Sequence, residues 1–389
     1  MAVPKDARDV RRNIRRNPAA VYGGARIVNE LIPAAKPILG DEERAAVDRV
    51  MRSGMLAQGP EVAAFETEFS EHFGLGRACV AVNSGTSGLH LGLLSAGVKP
   101  GDEVIVPSFT FAATANSVAL TGARPVFADI EADSFCLDPS SVLESITQRT
   151  VGIMPVHLYG HPANMPALQA IADEHGLQIF EDAAQAHGAS LGGTPVGAFG
   201  SFGMFSLYPT KNMTSGEGGM VAAATPEIER LLRLYRNQGM QRQYENEVVG
   251  FNSRMTDIHA AIGRVQLTKV GAWTKQRQGN AAFLSEHLEG VTPPRVASSA
   301  VHVYHQYTIR VAEDRDGMAK ALREEYSVGS GMFYPIPNHR LKPFQSRVDL
   351  PATELAAQEC LSLPVHPSLS NADLERIVEA VNSVAQAGA

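Results

Sequence analysis

The fold is decided by the stretch Ser201-Phe-Gly-Met-Phe-Ser-Leu-Tyr-Pro-Thr-Lys-Asn-Met-Thr-Ser-Gly-Glu-Gly-Gly219. Its first six residues predict an apolar strand that ends at Ser206, and a proline turn then leads through Lys211 into a glycine-rich return. A lysine at such a turn is partly desolvated, which lowers its pKa and frees the amine to attack a carbonyl carbon. Most lysines are solvated, however, and spacing alone favours an ordinary surface lysine.

A second stretch, Leu177-Gln-Ile-Phe-Glu-Asp-Ala-Ala-Gln-Ala-His-Gly188, predicts a buried strand that ends at Asp182. A carboxylate at the carboxyl edge of a sheet can pair with a cationic ring nitrogen, as a pyridoxal phosphate enzyme requires to keep its cofactor an electron sink. The alternative is a helix N-cap, a common use of aspartate after a strand. Taken alone, Asp182 fits both interpretations equally.

Small residues occupy a third segment, Val82-Asn-Ser-Gly-Thr-Ser-Gly-Leu-His90, between a predicted strand and a predicted helix. Glycine lets an anion approach closely, and backbone N–H groups with the hydroxyls of Ser84, Thr86 and Ser87 can point at it from the helix start. The segment predicts a phosphate cradle, although the same residues also serve as ordinary helix caps. The chain has no Walker motif and no G-x-G-x-x-G after a strand, so triphosphate and Rossmann dinucleotide sites lose their main support.

Two aromatic residues end a predicted strand in Val106-Pro-Ser-Phe-Thr-Phe-Ala-Ala-Thr114. Phe111 could stack on a planar cofactor ring, worth about 0.5–1.5 kcal/mol beyond its buried area, although an aromatic residue here more often belongs to the core. The 12 histidines form no H-E-x-x-H motif, and no G-x-S-x-G elbow is present. The sequence therefore lacks the motifs of metal-dependent hydrolases and of serine hydrolases, and no metal site is predicted.

Short apolar, β-branched runs alternate with helical patterns from about Val80 onward. The predicted strands are Cys79–Val82, Glu103–Pro107, Pro125–Asp129, Val151–His157, Gln178–Glu181, Ser201–Ser206 and Gly219–Ala223. The predicted helices between them include Ser87–Ala96, Ala112–Thr121, Met165–His175 and Pro226–Arg236. This alternation predicts an α/β fold with a largely parallel sheet, whose sites gather beyond the carboxyl ends of the strands.

The C-terminal third has a different pattern. A helical pattern over Met255–Val270 continues after a possible break at Gly271 into Thr274–Leu288, and shorter elements follow. We predict a basic N-terminal arm at residues 1–30, a large α/β domain at 31–270, and a connector helix with a smaller α+β domain at 271–389. A chain of 389 residues is long enough for two such domains.

Composition excludes several classes of protein. No apolar run reaches the roughly 18 residues needed to span a bilayer, and the net charge of −7 argues against a surface built broadly for polyanions. The three cysteines lie far apart without a C-x-x-C pair, which is typical of a reducing cytoplasm. Residues 1–16 carry six basic and two acidic side chains, a pattern more typical of a solvated arm than of a nucleic-acid site. We expect a cytoplasmic protein without a secretory signal.

In this order, the motifs resemble those of the DegT/DnrJ/EryC1/StrS family of sugar aminotransferases, within fold type I of the pyridoxal phosphate enzymes. The resemblance runs from about Ile38 to Leu369. The matching motifs are Ser84-Gly-Thr-Ser, Pro107-Ser-Phe-Thr-Phe, Pro155-Val-His-Leu-Tyr-Gly, Glu181-Asp-Ala-Ala-Gln-Ala-His-Gly, Phe205-Ser-Leu-Tyr-Pro-Thr-Lys-Asn, Gly216-Glu-Gly-Gly, Gly250-Phe-Asn-Ser-Arg-Met and Tyr334-Pro-Ile-Pro-Asn-His. It implies a large domain with a mostly parallel, seven-stranded sheet flanked by helices.

The resemblance also implies roles for individual residues. Lys211 looks like the lysine that holds pyridoxal phosphate as a Schiff base and then transfers a proton, Asp182 like the partner of the ring nitrogen, and Gln185 like the contact to the phenolic oxygen. The remaining cofactor contacts that it implies are Gly85, Thr86 and Ser206 to the phosphate, Phe111 on the ring, and Asn252 from the neighbouring subunit of a homodimer. Relatives with histidine at position 211 dehydrate sugars, so the lysine indicates amino transfer.

The implied reaction moves an amino group from L-glutamate or L-glutamine to a nucleotide-linked keto-sugar. The residues Lys211–Gly219 resemble enzymes acting at C4 of 4-keto-6-deoxy sugars more than those acting at C3. Arg254, Tyr334 and His339 are candidates for substrate contacts, His339 from a surface loop. The alternatives are amination at C3 or of a keto-cyclitol, and a regulator that binds the cofactor without turnover.

Overall fold

The computed structural model describes residues 30–388, so the predicted basic arm lies outside the described residues except for Glu30. Its strands, in chain order, are β1 (Ala78–Val82), β2 (Glu103–Pro107), β3 (Arg124–Ala128), β4 (Thr150–Ile153), β5 (Gln178–Asp182), β6 (Ser190–Leu191), β7 (Thr194–Pro195), β8 (Phe202–Ser206), β9 (Gly219–Ala223), β10 (Met240–Arg242), β11 (Glu245–Asn246), β12 (Ala300–Val301), β13 (Tyr307–Arg310) and β14 (Cys360–Leu363). The α-helices are α1 (Asp41–Ser53), α2 (Pro60–Phe73), α3 (Gly85–Ser95), α4 (Ala113–Leu120), α5 (Pro139–Ser145), α6 (Met165–His175), α7 (Pro226–Arg236), α8 (Asp257–His287), α9 (Arg315–Tyr326), α10 (Pro351–Glu359) and α11 (Asn371–Gly388). Short 3₁₀ helices lie at Leu158–Gly160 and Asn338–Arg340.

Seven strands form the central sheet, in the order β1-β9-β8-β5-β4-β2-β3. Only β9 runs against its neighbours, β1 and β8, and the remaining pairs are parallel. The predicted α/β fold with a mostly parallel, seven-stranded sheet is therefore confirmed. Most predicted strands lie within a residue of the observed ones. In the predicted run Val151–His157 the strand ends at Ile153, although Val156 forms one further parallel bridge with Asp182 of β5.

Helices cover the sheet on both faces, because alternate residues of each strand point to opposite sides. Along β1, Cys79 and Ala81 belong to one hydrophobic cluster, while Val80 and Val82 belong to another. The first cluster includes residues of α2 and α8, and the second includes residues of α3. The strands of a sheet that is buried on both faces appear in the sequence as continuous apolar runs, and this explains why the sequence predicts these strands well.

The C-terminal segment has a hydrophobic cluster of its own. Strands β13 and β14 pair antiparallel, and their apolar residues pack with those of α9, α11 and the end of α8. The possible break at Gly271 is wrong, since α8 is one helix of 31 residues that runs through this position. A single helical glycine costs only about 1 kcal/mol, and buried residues on both sides, such as Val270 and Leu284, hold the helix in place.

The division into domains near residue 270 stays a prediction. Among the described helices, none is long and apolar enough to cross a membrane. Cys79, Cys136 and Cys360 are buried free thiols. The site is positioned by the edge of the sheet where β1, β8 and β5 end and where β9, between β1 and β8, begins.

Candidate active site

The predicted phosphate cradle lies where β1, β9 and β8 meet. Val82 pairs with Gly219, and Gly219 pairs with Ser206, so the ends of three strands form one row. A Cβ atom on Gly85 would lie 3.1 Å from the Ser206 Cβ, which shows how closely the start of α3 approaches this row. The N–H groups of Gly85 and Thr86 lie in the first turn of α3, where no intrahelical acceptor exists. Together they can bind an anion at the helix N-terminus.

Asp182 ends β5, two strands away from β9 in the sheet. Its Oδ2 accepts a hydrogen bond from the Thr114 hydroxyl at 2.8 Å, and its Oδ1 accepts one from the Ala184 N–H at 3.1 Å. Burial raises the pKa of this carboxyl, and these hydrogen bonds with the charge of Lys211 oppose that shift. No α-helix begins directly after Asp182, so the N-cap alternative does not apply. Each oxygen keeps an acceptor position for a further donor.

Lys211 lies on the turn after β8, where its backbone N–H donates to the Tyr208 carbonyl at 3.0 Å. Burial lowers the pKa of the amine to about 8, while the negative charge of Asp182 opposes this shift. Among residues 30–388 the Lys211 Nζ has no hydrogen-bond or ion-pair partner. The structure therefore favours a reactive amine over a solvated surface lysine.

Both the oxygen and the nitrogen of the Gln185 side-chain amide form hydrogen bonds within the protein. Its Oε1 accepts from the Tyr159 N–H at 2.8 Å, and its Nε2 donates to the Tyr334 hydroxyl at 3.1 Å. Burial raises the pKa of Tyr334 above the usual tyrosine range. The second hydrogen on Gln185 Nε2 can donate a hydrogen bond to the phenolic oxygen of a cofactor. That contact stays a prediction.

Phe111 lies beside Tyr334, with 6.0 Å between the ring centroids. Its side chain is 59% exposed, so it is not part of the hydrophobic core. An exposed aromatic face next to Gln185 and Tyr334 is available to stack on a planar ligand. The structure thus removes the core alternative, and the stacking role stays a prediction.

Asn252 and Arg254 lie on the segment that leads into α8. The backbone of Asn252 pairs with Asn237, and the backbone of Arg254 pairs with Val82 at the end of β1. The Arg254 guanidinium donates to the Asn237 Oδ1 at 2.8 Å, while Asn252 is exposed in the single chain. Their predicted contacts with phosphate and substrate stay predictions.

The expectation that His339 lies on an exposed loop is wrong. The residue is fully buried, with its Nδ1 2.6 Å from the Ser108 hydroxyl and its Nε2 3.0 Å from Glu354. Both ring nitrogens are therefore occupied within the protein, which leaves none for a substrate. The sequence around it is polar and rich in proline, but the burial comes from packing against β2 and α10.

Sequence reasoning missed two residues that hold the site. Thr114 orients Asp182 across 68 residues of chain, and Tyr159 orients Gln185 through a backbone N–H. Thr114 is the last residue of the stretch Val106–Thr114, but nothing in that stretch indicates a contact with the distant Asp182 carboxylate. Tyr159 has a positive φ of 58°, and its place in the motif from Pro155 to Gly160 was the available signal.

The DegT/DnrJ/EryC1/StrS aminotransferase family matches residues 37–382 of the sequence. The chain belongs to this family. The resemblance drawn from the motifs is confirmed, and the protein is a pyridoxal phosphate-dependent aminotransferase.

Two relatives match over nearly the whole length of both chains. A UDP-N-acetyl-3-dehydro-alpha-D-glucosamine 3-aminotransferase of Acidithiobacillus ferrooxidans is 39% identical, covering 88% of this chain and 94% of its own. A dTDP-3-amino-3,4,6-trideoxy-alpha-D-glucose transaminase of Streptomyces venezuelae is 40% identical, covering 91% of this chain and 95% of its own.

A solved structure of the same fold carries the cofactor in its amino form. The crystal structure of NtdA from Bacillus subtilis with bound PMP has a TM-score of 0.84 and 29% identity, covering 92% of this chain and 86% of that one. The residues of the present chain fit such a group. The cradle at Gly85 and Ser206 suits its phosphate, and the remaining acceptor positions of Asp182 suit a protonated ring nitrogen. The amine of Lys211 suits the aldehyde of the pyridoxal form.

Proposed function

We propose that this aminotransferase moves an amino group from L-glutamate or L-glutamine to a nucleotide-linked keto-sugar. The single observation that carries the chemistry is the unpartnered amine of Lys211 beside the buried carboxylate of Asp182. The substrate class is supported by the two relatives, which are named as aminotransferases of UDP-linked and dTDP-linked sugars.

The residues divide the work between binding and proton transfer. When bound, pyridoxal phosphate supplies an aldehyde carbon that receives the amino group and passes it on, and its ring delocalises negative charge from the reacting carbon. Ser206 and the first turn of α3 would bind the phosphate, and Asp182 would provide a negative charge for the ring nitrogen. Lys211 Nζ would carry a proton between the substrate and the cofactor: it would remove the proton from the donor's α-carbon in the first half-reaction and would deliver a proton to the former carbonyl carbon of the sugar in the second.

Two positions on the sugar ring are candidates for amination. Both relatives carry the 3-position in their names, which favours C3. The residues Lys211–Gly219 favour C4 of a 4-keto-6-deoxy sugar by their resemblance to enzymes acting there. The carbon that bears the amino group in the product distinguishes the two positions.

The test starts from the pyridoxamine phosphate form of the enzyme. It is mixed with a panel of UDP-, dTDP- and GDP-linked 3-keto and 4-keto sugars, with a keto-cyclitol as the alternative acceptor. We expect one class of nucleotide sugar to restore the visible absorbance of the aldehyde form, and NMR of the product then assigns the aminated carbon. A response to the keto-cyclitol alone would contradict the proposed substrate class.

We also propose that the active unit is a homodimer with shared sites. The support is the exposed Asn252, which the family resemblance assigns to the phosphate of the neighbouring subunit. Mixing an inactive Lys211→Ala chain with an Asn252→Ala chain should restore activity, since one of the two sites in a mixed dimer keeps both residues. If each chain uses its own Asn252, mixing will not raise the activity above the sum of the two variants.

A further inference from the structure

The carboxylate of Glu181 lies immediately before Asp182 but points to the other face of β5. It is fully buried and is surrounded by four N–H donors. These are the backbone N–H groups of Gly197 at 2.6 Å, Phe199 at 2.7 Å and Gly200 at 2.9 Å, and the ring Nε2 of His157 at 3.2 Å. All four approach its two oxygens as donors, so Glu181 acts purely as an acceptor, as an ionised carboxylate does.

The His157 ring has one tautomer that fits its partners. Its Nδ1 lies 3.0 Å from the Ala163 N–H, which can only donate. The ring proton therefore resides on Nε2 and points at Glu181. The backbone of His157 also donates to the Asp182 carbonyl at 3.0 Å, and the Asp182 N–H donates to the Pro155 carbonyl at 2.9 Å. The segment from Pro155 to His157 is thus joined to both Glu181 and Asp182.

A positive charge completes this arrangement. The Arg77 guanidinium donates to the carbonyls of Gly197 and Gly200, the second at 2.7 Å, and it interacts electrostatically with Glu181. The loop that donates to Glu181 is therefore held on its other side by Arg77. A buried carboxylate with every acceptor position used resists displacement, because each lost hydrogen bond leaves a buried polar atom unpaired.

We propose that Glu181 and His157 are positioning residues that fix the direction of the Asp182 carboxylate toward the cofactor ring. The inference rests on the proposed role of Asp182 at the ring nitrogen. Within residues 30–388 the Asp182 carboxylate accepts hydrogen bonds from the Thr114 hydroxyl and the Ala184 N–H. Its backbone is held by the pairing with β8 and by the Pro155–His157 segment, and Glu181 fixes that segment through His157. Displacement of a catalytic contact by about 1 Å can cost up to about 10²-fold in rate.

The decisive variant is Glu181→Gln, which keeps the size of the side chain. Its amide NH₂ must face either the Gly197 and His157 pair or the Phe199 and Gly200 pair, so donors oppose donors in both orientations. We expect kcat to fall about 10- to 100-fold with the donor KM unchanged. We also expect the pH midpoint of the bound cofactor's visible absorbance to move in the same direction as in Asp182→Asn.

A readout without cofactor tests the hydrogen bonds themselves. In the apoenzyme labelled with ¹⁵N-histidine, the His157 resonances are assigned by their loss in His157→Phe. At neutral pH we expect them to show an unprotonated Nδ1 and a protonated Nε2, and we expect this pattern to change in Glu181→Gln. A protonated Nδ1 in the wild-type apoenzyme would overturn the proposed network.

The matched control is Glu66→Gln. Glu66 is also a buried carboxylate, but it is held by Arg233 and Arg236 at the β1 side of the sheet. We expect it to lower the unfolding temperature while leaving the absorbance midpoint unchanged. Equal spectra in Glu181→Gln and wild type, with a shifted spectrum in Asp182→Asn, would overturn the positioning role. An unshifted Asp182→Asn would instead contradict the proposed role of Asp182.

Discussion

Two buried carboxylates of the large sheet region, Glu66 and Asp182, differ in how their charge is compensated. Glu66 receives the Arg233 and Arg236 guanidinium groups and the Ala81 N–H at 2.9 Å. Within the described chain no arginine donates to the Asp182 carboxylate, which accepts hydrogen bonds from a hydroxyl and a backbone N–H. A fully compensated carboxylate stabilises the fold, whereas one with spare acceptor positions beside an unpartnered lysine is prepared for a ligand.

The largest effect expected on the Asp182 side comes from Lys211→Ala. Loss of the amine removes both the attachment point of the cofactor and the proton carrier, so turnover should fall by at least about 10⁴-fold. Turnover and the visible absorbance of the purified enzyme measure this together. Lys211→Arg keeps the charge and should be equally inactive, and activity within tenfold of wild type in either variant would refute the assignment.

On the Glu66 side, Arg236→Met should reduce stability instead of catalysis. Arg236→Met leaves Arg233 as the remaining cationic partner of Glu66 and removes the donor to the Ala81 carbonyl, so we expect a loss of up to about 3–5 kcal/mol, the cost of removing one partner of a buried ion pair. Urea denaturation measures the loss, and the activity per folded molecule should stay near wild type. The control is Arg52→Met, whose partner Asp48 lies in an exposed pair, so little change is expected there. Equal losses of unfolding free energy in Arg236→Met and Arg52→Met would show that the buried pair at Glu66 contributes no more to stability than an exposed pair.

Asp182→Asn tests the other half of the comparison. The amide keeps the shape but not the negative charge, so kcat should fall by roughly 10²–10³-fold, the range seen when one preorganised electrostatic contact is lost. Because the carboxylate has no cationic partner bonded to it in the fold, the free energy of unfolding of the apoenzyme should not fall. A large loss of stability with normal turnover would place Asp182 in the same class as Glu66.

The pH dependence of cofactor uptake should report the lowered pKa of Lys211. The neutral amine is the attacking form, so the rate at which the apoenzyme takes up pyridoxal phosphate rises with pH and levels off above the pKa of about 8. An increase of about tenfold between pH 7 and pH 9 follows from this value. A lysine with its ordinary pKa of 10.5 would instead give an increase of about a hundredfold, still rising at pH 9.

The smallest effect is expected for Phe111→Ala. Loss of a stacking ring should weaken cofactor binding by about 0.5–1.5 kcal/mol, which equilibrium dialysis of the cofactor can measure. Phe111→Tyr keeps the aromatic face and is the matched control. Unchanged affinity in Phe111→Ala would show that the exposed ring does not contact the cofactor.

The accuracy of the sequence predictions follows from how local each signal is. Strand β2 was predicted with its observed ends because all five residues are apolar or buried by the sheet. The predicted run Val151–His157 is longer than the observed strand, because Met154 to His157 are also buried but keep only the single bridge from Val156 to Asp182 of β5. The polar loop at His339 was predicted as exposed, because its burial depends on Ser108 and Glu354 elsewhere in the chain.

By itself, the sequence determined the α/β class and the family, and it predicted the pair Lys211 and Asp182, because periodicity and local motifs are properties of neighbouring residues. Only the tertiary structure decided which carboxylate is compensated and which is open, that Thr114 reaches Asp182, and that His157 reaches Glu181. These contacts join residues that are far apart in the chain. Their existence depends on the order and register of the strands, which no local pattern encodes.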